Sequence, residues 1–194
     1  MTRRKRTAIL ISGRGSNMSA LIEAARAADF PAEIALALSD NGEAAGLAAA
    51  KKAGVATAAV DRKIYAGRGE FEAAMQALLD IHRIELVCLA GFMRILSEGF
   101  VRAWQGRMIN IHPSLLPAFK GLHTHERALA AGVAEHGCTA HYVVPELDAG
   151  PVICQARVPV LAGDTAQTLG ARVLAEEHRV YPLALAKAAG GSGA

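Results

Sequence analysis

Aromatic residues are scarce in this chain: one Trp, three Tyr and five Phe among 194 residues. Trp104 stands alone, so there is no aromatic platform on which nucleic-acid bases could stack. Cysteine is scarcer still than aromatics. Cys88, Cys138 and Cys154 form no C-x-x-C pair, and three thiols cannot all pair with one another. Cys88 lies in an apolar run, where a reduced, buried thiol is the usual state, and the cytoplasm is the expected compartment. No uncharged apolar stretch reaches the about 18 residues that a membrane helix needs. The basic opening is followed only by a short apolar run ending in glycines, which is not the layout of a secretory signal. An excess of one charge is missing too. Of the 21 basic residues, Arg3, Arg4, Lys5 and Arg6 supply four, and without them 17 positive charges face 18 negative ones. A body so near neutrality lacks the basic face of a phosphate-backbone binder. Nucleic acid and membrane are therefore not expected partners, and residues 1–6 read as a solvated basic leader.

What is present is apolar content, 52% of residues with a mean hydropathy of +0.24, spread along the chain. That excludes disorder and can build the core of one domain over 1–194, with 190–194 as a flexible tail. The hydrophobic period alternates along the first half. Thr7–Ser12 is a short continuous apolar run, as in a strand buried on both faces, and Asn17–Ala28 has helical spacing. Ile34–Ser39, Val55–Val60, Glu85–Ala90 and Met108–Ile111 read as further strands, with helices over Glu43–Ala53 and Glu70–His82. Strands alternating with helices predict a mostly parallel sheet in an α/β fold. After Ile111 the pattern changes. A Pro- and Gly-bearing loop runs to His123, and a short helix follows over Thr124–Ala131. Thr139–Val144 and Val152–Val160 have no helix between them, so they should extend the sheet as an antiparallel hairpin. A long helix over Thr165–Ala189, bent near Pro182, closes the pattern.

Three segments could carry chemistry. Ser12-Gly13-Arg14-Gly15-Ser16-Asn17 joins the first strand to the first helix. Glycines let backbone N–H groups approach an anion, Ser16 can add a hydroxyl, and a helix start favours negative charge, so a phosphate suits this loop. A dinucleotide fingerprint would need glycine where Met18 stands. The plainer reading is a tight turn capped by Ser16 or Asn17. In Asn110-Ile111-His112-Pro113, the amide and the imidazole stand two apart on a strand and can face the same way. Together they could stabilise a developing oxyanion, or simply hold the long loop. Asp148, before Ala-Gly-Pro, is either a turn former or a carboxylate that would favour a charged His112. His112, His123, His125 and His141 fit no familiar ligand spacing, so no metal is expected. His123 reads as a pocket residue, and His125 as a packing or capping residue of its helix.

These segments together resemble the folate-dependent glycinamide ribonucleotide formyltransferases of purine biosynthesis. The markers are Ile11–Asn17, Leu89-Ala90-Gly91-Phe92-Met93-Arg94-Ile95-Leu96, Asn110–Pro117, Gly121-Leu122-His123-Thr124-His125, Glu146–Pro151 and Glu177–Pro182. They run from the first strand to the last helix. The Asn-x-His-Pro-Ser-Leu-Leu-Pro segment marks the wider formyl-transfer superfamily, and the phosphate loop with Gly-Leu-His-Thr-His narrows it. The resemblance implies a Rossmann-like three-layer fold and formyl transfer from 10-formyltetrahydrofolate, as co-substrate, to the primary amine of phosphoribosylglycinamide. It implies that Asn110, His112 and Asp148 are catalytic, the first two stabilising a tetrahedral oxyanion and the third aiding proton transfer. Gly15, Ser16 and Asn17 would hold the substrate phosphate, and Glu177 the ribose hydroxyls. Met93, Arg94, Ile95, Leu96, Asn110 and His141 would bind the folate, and Arg68 its glutamyl tail. The family often places a polar or basic side chain three residues before Glu177, where this chain has Leu174. Neither a metal nor a covalent enzyme intermediate is implied. The expected partners are these small molecules, acting on a monomer or weak homodimer. A deformylase relative would carry an extra N-terminal domain and a methionyl-tRNA formyltransferase a basic C-terminal one, and neither is expected in this chain.

Overall fold

The computed structural model describes residues 3–190. Its centre is a seven-stranded sheet in the order β3-β2-β1-β4-β5-β6-β7. Strands β1 (Lys5–Ile11), β2 (Ala32–Ser39), β3 (Thr57–Ala59), β4 (Leu86–Leu89) and β5 (Met108–His112) are mutually parallel. Strands β6 (Glu135–Tyr142) and β7 (Val152–Pro159) add the antiparallel hairpin expected from the missing crossover helix.

The continuous apolar runs follow from burial on both sides. In β1, Ile9 and Ile11 face one core and Ala8 and Leu10 the other, all wholly buried. Each such Leu or Ile contributes about 1.5–3 kcal/mol of burial. On one face lie α1 (Ser16–Ala24), α2 (Ala45–Lys52), α5 (Thr124–Ala130) and α6 (Ala166–Ala188), contributing Met18, Leu21, Ala50, Ala128, Leu169 and Tyr181. On the other lie α3 (Arg68–Ile81) and α4 (Glu98–Ala103), contributing Phe71, Met75, Leu79 and Phe100. Two layers of helices around a sheet is the expected three-layer arrangement.

Four local expectations need correction. First, Arg3 is exposed but Arg4–Arg6 are not a solvated leader. Arg4 donates to the Ala25 and Ala32 carbonyls, Arg6 pairs with Glu33 at 2.6 Å, and β1 already begins at Lys5. The basic side chains tie the strand start to its neighbours. Second, α4 has no counterpart in the periodicity because six residues show less than two turns. Its signal was Ser97, whose hydroxyl accepts from Phe100 N–H at the helix start. Third, β6 begins at Glu135 and not at Thr139: the polar His136 and the glycine at 137 hid a strand that pairs with β7 along its whole length. Gly137 is required there, since a Cβ would lie 1.9 Å from the Ala156 carbonyl oxygen. Fourth, Thr165 is not a helical residue but the N-cap of α6, in a Thr165–Thr168 capping box, and Pro182 lies inside the helix. The flexible-tail expectation falls on 191–194 and the first leader residues on 1–2, both outside the described residues. Among the described residues no helix is long and apolar enough to cross a membrane.

Candidate active site

The cleft lies where the strands of the parallel sheet end. Ser12 leaves β1, donates its N–H to the Gly91 carbonyl at 3.1 Å, and accepts Met93 N–H on its hydroxyl at 2.8 Å. The loop after β1 and the segment after β4 are thus clasped together. Gly15 then takes φ +71° and leads into α1 with no side-chain cap. The first N–H groups of α1 have no helical partner, so they remain available to an anion, and no side chain competes for them. A cleft of about 300 Å³ is lined by residues 12–17 with Ala90, Gly91 and Met93. The capping alternative for Ser16 or Asn17 is set aside, because the cap position is Gly15.

One residue that builds this loop was not found from the sequence. Gly46, in the first turn of α2, donates its N–H to the Gly13 carbonyl at 3.0 Å. A Cβ there would sit 2.5 Å from Ile11 Cδ1 and 3.0 Å from the Gly13 oxygen. Only a glycine lets α2 press against the loop. The long separation in sequence gave no local signal for it.

Asn17 and Glu177 meet at this cleft. Asn17 Nδ2 donates to Glu177 Oε2 at 2.6 Å, joining α1 to α6. Glu177 is 7% exposed. Burial pushes its carboxyl up, and the Asn17 bond acts in the opposite direction. Leu174, one turn earlier, is half-buried.

The segment after β4 presents Met93 and Ile95 to solvent, at 66% and 76% exposure. They form an apolar lip beside the polar cleft. The Arg94 guanidinium is paired with the buried carboxylate of Asp40 after β2, so this side chain anchors the segment to the neighbouring strand. Leu96 is half-buried, and the Ser97 N–H is held by the buried Glu72 of α3 at 2.6 Å. Arg68 opens α3, exposed, four residues before Glu72 and therefore one turn away on the same helix face.

Next along the sheet, Leu89 of β4 pairs with Asn110 of β5. Ile109 and Ile111 enter the core on one face, and Asn110 and His112 take the opposite parity. Asn110 also pairs with His141 across β5 and β6, and their side chains meet, Nδ2 to Nε2 at 3.3 Å. His141 Nδ1 lies 2.9 Å from the Tyr142 carbonyl oxygen, which fixes the proton on Nδ1 and leaves Nε2 to accept from Asn110. Burial pushes the His141 imidazole below its ordinary range, in keeping with a neutral ring. His112, 5% exposed, stands between two acceptors: its Nε2 is 3.0 Å from the Phe119 carbonyl oxygen, and its Nδ1 is 3.4 Å from Asp148 Oδ2. An imidazolium donates to both.

Asp148 belongs to the 143–151 loop, which curls back over β6. Tyr142 N–H donates to the Pro151 carbonyl at 2.9 Å, and Gly150 lies so close that a Cβ would be 1.7 Å from the Tyr142 oxygen. Asp148 adopts φ +48°, is 9% exposed, and accepts Gly121 N–H at 2.9 Å on the oxygen that faces His112. Its other oxygen lies 3.7 Å from His141 Nε2. A buried carboxylate in a left-handed conformation costs about 1–3 kcal/mol in backbone strain. The 113–123 loop is held from below. Thr139 Oγ1 donates to the Ser114 carbonyl at 2.7 Å and accepts Leu116 N–H at 3.0 Å, and Gln155 donates to both Thr139 Oγ1 and the Leu116 carbonyl.

The two histidine expectations part ways. His123 does not line the cleft; it caps α5 at φ +57° with its side chain 76% exposed, and its nearest charged neighbour is Glu126 at 3.9 Å. His125 packs, as one alternative had it: its ring meets His136 at 3.2 Å between nitrogens and rests on Gly170 of α6. Burial and the nearby His125 push His136 down to about 4.

With the phosphate loop, the apolar lip and the Asn-His-Asp cluster all at the carboxyl ends of the parallel strands β1, β4 and β5, the comparison with known proteins is decisive. A sequence profile described as formyl transferase matches residues 5–185. The chain belongs to the formyl transferase family. It is 45% identical over 177 residues to the phosphoribosylglycinamide formyltransferase of Escherichia coli strain K12, covering 91% of this chain and 84% of that protein. It is 48% identical over 190 residues to the human trifunctional purine biosynthetic protein adenosine-3, and it spans about a fifth of it (19%). The crystal structure of phosphoribosylglycinamide formyltransferase from Brucella melitensis superposes with a TM-score of 0.93 at 56% identity, covering 98% of both chains. The Brucella melitensis protein shares the architecture described above.

Proposed function

We propose that this chain transfers a formyl group from 10-formyltetrahydrofolate to the primary amine of phosphoribosylglycinamide. The observation that carries the reading is the buried Asp148 carboxylate 3.4 Å from His112 Nδ1, with Asn110 two residues along the same strand. Similarity to relatives named for this reaction supports it.

The phosphosugar runs from the α1 start, where the N–H groups of Gly15, Ser16 and Asn17 take the phosphate, to Asn110. β1 and β5 are two strands apart, roughly 10 Å, which suits one small phosphosugar. Glu177 accepts the ribose hydroxyls. The folate fits the other side: Met93, Ile95 and the 58%-exposed Leu147 give an apolar lip beside the polar Asn110, His141 and Asp148. Arg68 pairs with a tail carboxylate. When bound, the folate supplies the formyl carbon that the amine attacks. Asn110 keeps one N–H on His141 and has a second to offer, and His112 offers Nε2 in exchange for its bond to the Phe119 carbonyl. Both donors then stabilise negative charge growing on the formyl oxygen. Asp148 gives the imidazolium an acceptor and helps carry the amine proton towards the leaving nitrogen.

The test is a coupled absorbance assay of purified protein with the formylated folate, with and without phosphoribosylglycinamide. Folate product should form only when the amine is present. Equal release without it means hydrolysis and replaces the transfer reading, and no release in either mixture sinks both.

A further inference from the structure

The Asn17 side chain and the substrate phosphate make different demands. Asn17 is the second residue of α1, so its main-chain N–H belongs to the first turn that faces the cleft. Its amide, however, is directed across the cleft to Glu177 at 2.6 Å, 160 residues away in sequence. The remaining amide atom, Oδ1, is buried and has no donor among the described residues. A phosphate offers that oxygen no proton, so an anion does not account for Oδ1, and the one amide bond the side chain makes goes to Glu177. Turning the amide over would set Oδ1 against the carboxylate, so the Glu177 bond fixes its orientation. Among the described residues no other hydrogen-bond donor reaches the Glu177 carboxylate.

We propose that Asn17 is a positioning residue: its main chain serves the phosphate, while its side chain holds Glu177 in the orientation that receives the ribose diol. The inference rests on the substrate reading above, and it makes Asn17 the part that couples the phosphate subsite to sugar recognition. A carboxylate aimed at two hydroxyls discriminates against a sugar that lacks one, because a missing partner leaves a charged acceptor desolvated. An unsupported carboxylate is free to swing and loses that discrimination.

The experiment measures binding by calorimetry of phosphoribosylglycinamide and its 2-deoxyribosyl counterpart. Wild-type protein should favour the ribosyl compound on the order of tenfold to a hundredfold, the range of one hydrogen bond to a charged group. In Asn17→Ala the preference should fall to within about threefold, with the deoxy compound bound nearly as before through the main-chain phosphate contacts. Glu177→Ala should lose the preference as well. If Asn17→Ala keeps the wild-type preference, or weakens both ligands equally, the side chain acts only on the phosphate or on packing, and the proposal is wrong. If Glu177→Ala keeps it, the diol role of Glu177 itself fails. Wild-type protein that does not bind phosphoribosylglycinamide overturns the substrate reading instead.

Asn17→Asp, of the same size, supplies a readout that packing would not move. Two carboxylates then face each other, so the preference should be absent at neutral pH and return on acidification, when one proton is shared between them. The other titratable groups near Glu177 are His178 on the same helix, His112 from β5 and Cys138 from β6. They are common to wild type and variant, as is the ligand phosphate, and cancel in the comparison. No recovery at acid pH in a variant that still binds the deoxy compound overturns the positioning role.

Discussion

The cleft is made of main chain on its β1 side and of side chains on its β5 side. At the start of α1, glycines and uncapped N–H groups form the subsite, and residues 12–17 are contiguous. Around β5, the cluster draws Asn110 and His112 from one strand, His141 from the next, and Asp148 from a returning loop. Left-handed conformations at Phe119, His123 and Asp148, none of them glycine, accompany it. The contrast teaches that the groups facing an anion can come from six contiguous residues, whereas an oriented acid-base cluster needs long-range register and tolerated strain.

Changes at the side-chain half should have the largest effects. His112→Ala or Asp148→Asn should lower formyl transfer on the order of a hundredfold or more while leaving the circular dichroism spectrum unchanged. Near-normal turnover in either would remove the assigned roles.

Gly150→Ala tests whether the loop geometry matters as much as the carboxylate. With backbone 1.7 Å from the new Cβ, nothing flexible can yield. Destabilisation of about 3 kcal/mol is expected in chemical denaturation, together with loss of turnover, since Asp148 cannot then reach His112. A stable and active Gly150→Ala protein would show that the return of the loop is not needed.

Acid should strike the same half. His136, wholly buried beside Phe119 and His125, is held down to about 4 by burial first and His125 second. It is neutral in the fold and titrates near 6.5 when unfolded. The stability it contributes is therefore complete above pH 6.5 and is lost as pH falls from there towards 4, by about 3 kcal/mol. Thermal unfolding across this window would reveal the slope. His136→Phe keeps the ring packing and should flatten it; an unchanged slope in that variant would assign the acid sensitivity elsewhere.

The main-chain half should respond more gently. Gly46→Ala forces Ile11 Cδ1 aside and crowds the Gly13 carbonyl, which tilts the phosphate loop. About a tenfold rise in KM for the amino substrate is expected, with KM for the folate and kcat little changed. Equal rises for both substrates would mean that α2 supports the whole cleft and not the loop.

Much of this was legible in advance because its causes are local. Ile9 to Ile11 had to be buried on both faces, and the two C-terminal strands lacked a crossover helix, so parallel sheet and hairpin followed. Asn110 and His112 shared a face by strand period alone. The beginning of β6 was hidden because His136 and Gly137 look like loop residues until His125 and the Ala156 carbonyl explain them. The charges of Arg3–Arg6 looked free for the same reason: Glu33, Glu85 and the carbonyl oxygens that hold them lie far away in sequence.

Sequence by itself determined the layered α/β fold, the anion-ready turn at Gly15 and the motif that identifies the family, because period, glycine and helix start act over a few residues. Tertiary structure alone decided that Asp148 is a partner of His112, that Asn17 points to Glu177, and that Gly46 must lack a side chain. Those relations depend on which strands and helices become neighbours, and that is settled by burial of the whole core.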